Sequence, residues 1–390
     1  MTSTQKHGTT SYLKGTVLAG LVLGTIAGTT ATANELRYAV GLPESSYNYD
    51  AAVFFSEELG RTSDIDVKVY ALSLLGLNEI PSGIRDGLAD FGFSLFPYFP
   101  AEFSELNLPA NLSWLASTGS EAKWPGPAML GASMEYTMLN CPDCLKQLEA
   151  FNTVFLSGGV AVEYGLVCNK PVESIDDIAG KKVRTGAADV ARFIEYFGGT
   201  QVSLSGNEIY DALSTGNVDC STVPPETLTG LRFIEVADYF SHLMPGNMFS
   251  GIGIANMNRD TWKDMSEEQR LAVLHAAGKA AVNSWITAKT LNKSSLKTFE
   301  DADNTVFHTS DEDRAKIAEF ANQDIAVVRD QFVEQYGIEN VDEKIALIAE
   351  LIEKWKGLTN QVEEMDIDAF ADLYKNEVYS KIDVSSYGIN

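Results

Sequence analysis

The sequence predicts an α/β protein of two lobes with mostly parallel sheets, a cleft between the lobes and an extended helical C-terminal region. Three observations predict it. The chain has 390 residues, 45% hydrophobic and 21% charged, which is long for one core and apolar enough for two. A motif occurs twice, as "EIPSGIRDGLADFGFS" from Glu79 to Ser94 and as "EIYDALSTGNVDCSTV" from Glu208 to Val223, 129 residues apart. The alternation of strand and helix around each copy gives way after residue 250 to long helical stretches.

The first segment reads as one that is removed. Lys6 and Lys14 accompany the apolar run "GTVLAGLVLGTIAG", and Ala31 and Ala33 supply the small-x-small pattern of a signal-peptidase site. Residues 1–33 are expected to be a signal peptide cleaved near Ala33, leaving an exported, periplasmic protein. The run is short and rich in Gly and Thr, unlike a spanning helix, and no cysteine lies near it to carry a lipid anchor. Loss of Lys6 and Lys14 takes the formal net charge from -25 to -27. Such a surface repels nucleic acid and anionic lipid, so an anionic ligand needs a local positive feature to bind.

Along the mature chain, "ELRYAVG" reads as a short strand, and "YNYDAAVFFSEELG" as a helix from the spacing of Ala52, Phe55 and Leu59. Ile65, Val67 and Val69 alternate as in a strand. Ile80, Ile84 and Leu88 then recur every four residues as a helix face, and "ADFGFSLF" returns to strand. The second pass repeats this order. "KKVRTG" is a strand, "ADVARFIEYFGG" a helix, "TQVSLS" a strand, "NEIYDALSTG" a helix with Asn207 as N-cap, and "NVDCSTV" a strand.

The repeated motif is therefore a helix-to-strand joint. Its glycine (Gly87, Gly216) ends the helix and its aspartate (Asp90, Asp219) falls within the next strand. Chains of this kind bind ligands beyond the carboxyl ends of their strands, where "LFPYFP" and "TVPPETL" would line the cleft. Further on, Ser266 with Glu268 and Gln269 opens a long helix. The charged faces of the later helices read as solvated surfaces. Lobe one is expected over 34–160 plus about 248–285, and lobe two over 161–247 plus about 286–390 with the C-terminal helices.

Cys141, Cys144, Cys168 and Cys220, in an oxidising compartment, suggest two disulfides. Structural bridges from Cys141 to Cys144 and from Cys168 to Cys220 are favoured. A redox-active "CPDC" would need the βαβ frame of thioredoxin-type enzymes, which is missing around it. A zinc site would have to use a second pair split by 51 residues.

No His-Glu-x-x-His, Gly-x-Ser-x-Gly or Gly-Lys-Ser/Thr phosphate loop occurs. His7, His242, His275 and His308 are scattered, and "GIGIAN" lacks the third glycine of a dinucleotide fingerprint. No cofactor and no metal ion are expected. The pattern points to binding rather than to an enzyme.

In order along the chain, "ELRYAVGLPESS", "LLGLNEIPSGIRDGLADFGF", "FSELNLP", "NKPVESIDDIAGKKVRTG", "GGTQVSLSGNEIYDALSTGNVDC" and "NRDTWKDMSEEQRLAV" resemble the extracytoplasmic solute-binding subunits of tripartite ATP-independent periplasmic (TRAP) transporters, dicarboxylate-binding proteins among them. The resemblance covers about residues 35–290. It implies a type II-like periplasmic binding protein fold, whose two lobes, joined by crossing strands and a long helix, close on a small organic acid. It also implies a receptor, taken to be a monomer, that docks on a membrane permease driven by an ion gradient.

The resemblance implies further that the arginine after "GKK", here Arg184, clamps the ligand carboxylate. Two positions depart from the family pattern. A common ligand-contacting Asn is replaced by Val223 in "CSTVP", and a second family arginine by Tyr164. Both argue against a four-carbon dicarboxylate or a sialic acid. Arg184 also stands on its own residues: it sits at the carboxyl end of a strand beside Thr185 and Gly186, and a planar guanidinium fork fits a carboxylate.

The candidate ligand-binding set is Arg184, Tyr164, Phe96, Tyr98, Thr185, Val223, Phe249 and Tyr47. The leading reading is a TRAP solute receptor for a carboxylate-bearing small molecule. A receptor for another transporter or sensor system, and an exported thiol oxidoreductase using Cys141 and Cys144, are the alternatives.

Overall fold

The strands and helices of the first pass build one sheet and those of the second pass another. The computed structural model describes residues 35–244 and 249–389; the expected signal peptide and its cleavage site lie outside them. The first pass gives β1 (Leu36–Ala39), α1 (Tyr47–Thr62), β2 (Val67–Tyr70), α2 (Ile80–Arg85) and β3 (Phe91–Leu95). Helices α3 (Ser104–Ala110), α4 (Pro125–Glu135) and α5 (Pro142–Ala150) follow, then β4 (Thr153–Val154) and β5 (Ser157–Gly159). The chain then crosses to β6 (Gly165–Cys168), β7 (Lys182–Thr185), α6 (Ala188–Tyr196), β8 (Thr200–Ser203), α7 (Ile209–Ser214), β9 (Cys220–Val223), α8 (Thr227–Gly230) and β10 (Tyr239–Ser241). β11 (Ile252–Asn258) returns to the first sheet, followed by α9 (Arg259–Asp264) and α10 (Glu267–Asp301). β12 (Thr305–Phe307) rejoins the second sheet, and α11 (Asp311–Glu334), α12 (Val341–Thr359) and α13 (Ile367–Glu377) complete the chain.

The sheet orders are β2-β1-β3-β11-β4, with β5 also on β11, and β12-β10-β6-β9-β7-β8. Both sheets are mixed rather than mostly parallel. Strands of the repeated units run parallel, β1 with β2 and β3, and β7 with β8 and β9. The strands that cross between lobes run the other way, β11 against β3 and β6 against β9. The reason is geometric. β3 and β9 end at the cleft, whereas β6 and β11 begin there, having just arrived from the opposite lobe.

The twice-used motif has a defined job. Gly87 (φ 71°) and Gly216 (φ 69°) take the left-handed conformation that closes α2 and α7. Asp90 and Asp219 stand one residue before β3 and β9, not within them. The Asp90 carboxylate accepts the backbone N–H of Arg37 at 2.8 Å, and the Asp219 carboxylate that of Lys182 at 2.9 Å. Each aspartate's own N–H donates back to the carbonyl of the same residue. The motif thus locks the register of one parallel strand pair per sheet. The expected cap Asn207 is displaced by Ser205, which forms a capping box with Glu208.

Cys168 and Cys220 are bridged and directly paired in register between β6 and β9. Cys141 and Cys144 are bridged at the start of α5 and buried, at 3% and 0% exposure. Redox exchange needs an accessible sulfur, so this pair acts as a staple.

The C-terminal helices, expected with the second lobe, divide differently. α12 lies along α4, with Ile348, Leu351, Ile352 and Trp355 in the core that surrounds the first sheet. Trp355 Nε1–H donates to Glu135 Oε2 at 2.7 Å, and Lys354 Nζ holds the same carboxylate. The hydroxyls of Tyr374, Tyr379 and Tyr387 donate to the carbonyls of Pro127, Leu156 and Phe155. Beneath their charged faces α12 and α13 carry apolar stripes that the first lobe covers. α11 spans both lobes, with Ile317 and Phe320 in the second core and Val328 and Phe332 in the first.

Candidate functional site

A cavity of about 340 Å³ opens between the sheets, beyond the carboxyl ends of β3, β7 and β9. Tyr47, Tyr98, Tyr164, Arg184, Val223 and Phe249 line it. Tyr47 is the first residue of α1, set by the Ser46 cap. Tyr98 ends the tight turn that follows β3, and Val223 is the last residue of β9. Tyr164 and Phe249 lie on the two crossing segments and stack at 6.1 Å with 15° between their planes. Tyr98 meets Phe249 edge-on at 6.5 Å. Three aromatic rings from both lobes thus form one wall.

Arg184 is 4% exposed. Its Nε–H donates to the carbonyl of Leu204 at 2.8 Å, and its Nη2–H to the hydroxyl oxygen of Tyr98 at 2.7 Å. A guanidinium has about five N–H donors, and among the described residues no carboxylate pairs with this one. Gly186 leaves room for the guanidinium beside it: a Cβ there would stand 2.9 Å from Arg184 Nη2 and push it aside. The cavity therefore holds a cation with donors to spare.

Glu226 was not among the expected residues. It follows Pro224 and Pro225 at the end of β9, lines the same cavity and is 2% exposed. Neither carboxylate oxygen accepts a hydrogen bond from another residue. Burial pushes its carboxyl up to about 8, with a smaller opposing pull from its own backbone amide. Its backbone N–H is held by Asn292 Oδ1 of α10 at 3.1 Å. The phenol of Tyr164 is raised chiefly by burial and also by Tyr47, while Arg184 opposes and Tyr98 and Glu226 add to the rise. Tyr164 thus lies within electrostatic reach of both Arg184 and Glu226. Asn48 also lines the cavity, and its Oδ1 is buried without a partner.

Two expected residues fall elsewhere. Phe96 is 1% exposed and packs edge-on against Phe103 at 4.9 Å, so it belongs to the first core. The turn after β3 sends Tyr98, not Phe96, to the cleft. Thr185 points away from the cavity and donates to Gln201 Oε1 at 3.2 Å, because neighbours on a strand face opposite sides of the sheet. The signal for Glu226 was present in "TVPPETL", an acid placed directly after a rigid Pro-Pro turn at a strand's carboxyl end.

Among the described residues no group of His, Cys, Asp and Glu is arranged to hold a metal ion, and no helix is long and apolar enough to cross a membrane. Two lobes joined by crossing strands, with a buried cation and aromatic rings in the cleft between them, define a solute-binding protein of the two-lobed class. The chain belongs to the bacterial extracellular solute-binding proteins, family 7, whose model matches residues 38–332. It is a solute-binding protein of the TRAP-transporter type.

A solute-binding protein of Chromohalobacter salexigens is 25% identical over 283 residues, which cover 70% of this chain and 78% of the relative. A TRAP solute-binding protein of Rhodoferax ferrireducens, in complex with copurified benzoate, superposes with a TM-score of 0.71 at 18% identity, covering 83% of this chain and 99% of that one. The periplasmic ectoine-binding protein of the TeaABC TRAP transporter of Halomonas elongata gives 0.69 at 21%, covering 82% and 100%.

Proposed function

We propose that the mature chain is an extracytoplasmic receptor that captures a small carboxylate-bearing solute in this cavity and delivers it to a TRAP-type permease. The observation that carries the reading is Arg184, a buried guanidinium in the cleft with no carboxylate partner among the described residues. An unpaired buried charge is costly, and a ligand carboxylate supplies the missing partner. In a protein of formal charge -25, it is also the local positive feature that an anion needs. The benzoate of the Rhodoferax relative is a carboxylate on an aromatic ring, which suits a wall of Tyr98, Tyr164 and Phe249.

The reading includes export with cleavage near Ala33, no lipid anchor, and a monomeric receptor. Lobe one would comprise 34–160, about 248–285 and the last two helices, and lobe two 161–247 with the strand that follows α10. The test is to purify the exported protein, identify by mass spectrometry what comes off it on denaturation, and titrate that compound by calorimetry into wild type and Arg184→Ala. A bound acid whose affinity collapses in the variant supports the reading. A compound without an acid group, or equal affinities, refutes it.

A further inference from the structure

We propose that the solute is a zwitterion, its carboxylate on Arg184 and a cationic nitrogen on Glu226, which lines the same cavity. The proposal rests on the receptor reading and adds the charge type of the solute. Glu226 is almost wholly buried, lines the same cavity as Arg184, and has neither oxygen satisfied. The two charged groups do not satisfy each other, since both hydrogen bonds of Arg184 go to Leu204 and Tyr98. A buried polar group left unpaired is destabilising, and here both oxygens of a carboxyl group are left so. The nearby Asn48 Oδ1 is a third buried acceptor without a donor.

The Asn48 amide oxygen and, once Glu226 ionises, both of its oxygens want donors, and these specify what the ligand must bring. A protonated amine or amidine carries at least two N–H donors and a positive charge, and so can satisfy both Glu226 oxygens together. A second ligand carboxylate could accept only the single proton of a neutral Glu226. The surrounding rings agree, because Tyr47, Tyr98, Tyr164 and Phe249 line the cavity and aromatic faces attract cations. The charges also balance: one fixed cation and one ionised acid match a ligand that carries one of each.

Glu226 would bind the cation as a carboxylate, so a cavity that is protonated when empty must release a proton on binding. The titratable groups that face it are Tyr47 from α1 and Tyr164 from the crossing segment, with Arg184 and Tyr98 beyond. Burial raises both Tyr47 and Tyr164, which leaves Glu226 as the group that gives up the proton near neutral pH.

The test uses ring carboxylates of nearly one size. Proline, nipecotate and isonipecotate carry a ring ammonium at increasing distance from the carboxylate, and cyclohexanecarboxylate is their uncharged-ring counterpart. Calorimetry at neutral pH on the full mature protein should find at least one ring amino acid bound about 30-fold or more tighter than cyclohexanecarboxylate, the scale of a lost buried charge partner. Glu226→Gln should erase that preference. In buffers of different ionisation enthalpy, the wild type should release close to one proton per ring amino acid bound, a readout independent of any variant's folding.

Cyclohexanecarboxylate binding as tightly as the ring amino acids overturns the proposal, as does a preference that survives Glu226→Gln. If none of the four binds, the compound recovered from the purified protein decides: an acid without a cationic nitrogen refutes the zwitterion and spares the receptor. A protein that carries no compound and binds none of the four refutes the receptor reading itself.

Discussion

Arg184 of the second lobe donates to the hydroxyl oxygen of Tyr98 in the first lobe at 2.7 Å. The group placed to hold a solute therefore also holds the two lobes together. Ser45 Oγ–H adds a second link across the cleft, to the carbonyl of Gly230 at 2.8 Å. Opening of the cleft breaks both contacts, so binding and lobe closure are coupled through the same side chains.

Arg184→Ala should weaken solute binding by about 2 to 5 kcal/mol, roughly 30-fold to several thousand-fold, because it strands the ligand carboxylate in a buried site. Arg184→Lys should recover only part of this, since an ammonium cannot make two parallel hydrogen bonds. The unliganded Arg184→Ala protein should melt no lower than wild type, because it loses a buried charge that lacks a counterion. Calorimetry with the recovered solute and a thermal melt decide both points. Binding within about threefold of wild type would place the clamp elsewhere.

Tyr98→Phe tests the coupling. It removes the acceptor for a charged donor, a hydrogen bond of about 1.5 to 3 kcal/mol, while keeping the ring against Phe249. Without solute the variant should open, with a larger radius of gyration by small-angle scattering than wild type. Saturating solute should bring the two together, because the cleft then closes on the ligand. Identical radii without solute would show that the bond does not hold the lobes.

The Cys168 to Cys220 bridge spans a sequence separation of 52 residues. By the loop-closure estimate its removal should cost about 4 kcal/mol. Replacing both with Ser should lower the melting temperature of the unliganded protein accordingly, and peptide mapping without reductant should recover the two cysteines linked. The Cys141 to Cys144 bridge, buried at the start of α5, should resist mild reductant in the native protein. Its ready reduction would revive a redox role.

What the sequence disclosed was local, and what it hid was assembled at long range. Gly87 and Gly216 could be read as helix ends because a left-handed glycine is a property of its own turn. Arg184 could be read because strand, arginine and glycine are contiguous. Glu226 is marked locally only as an acid after Pro-Pro, and that it is buried in the cavity depends on Tyr47 and Asn48 of the opposite lobe, far away in sequence. The C-terminal helices were misplaced for the same reason: Trp355 finds Glu135 across 220 residues, and a charged face conceals the stripe beside it. Phe96 and Tyr98 are two residues apart in one aromatic turn, and only the fold decides which faces the cleft.

Glu226 should also leave a signature in the stability of the empty protein. Burial raises its carboxyl from the ordinary 4.5 to about 8. Between those pH values the folded protein keeps a proton that the unfolded chain has released, so rising pH draws the equilibrium toward the unfolded state. The stability tied to this proton is fully present below pH 4.5, falls as pH rises, and is lost once pH passes about 8. A tenfold difference in proton affinity between the folded and unfolded chain is worth about 1.4 kcal/mol, so the loss should reach on the order of 3 to 5 kcal/mol. Glu226→Gln has the same shape and no proton to lose. Urea denaturation of the unliganded proteins should therefore find the stability difference in favour of Gln widening steadily from pH 5 to pH 8 and levelling off above about 8, the value to which the carboxyl is raised. All other titrating groups are common to both proteins and cancel in that difference. A difference that stays flat with pH would mean that Glu226 is ionised and partnered in the native state, and would remove the vacant acceptor on which zwitterion recognition depends.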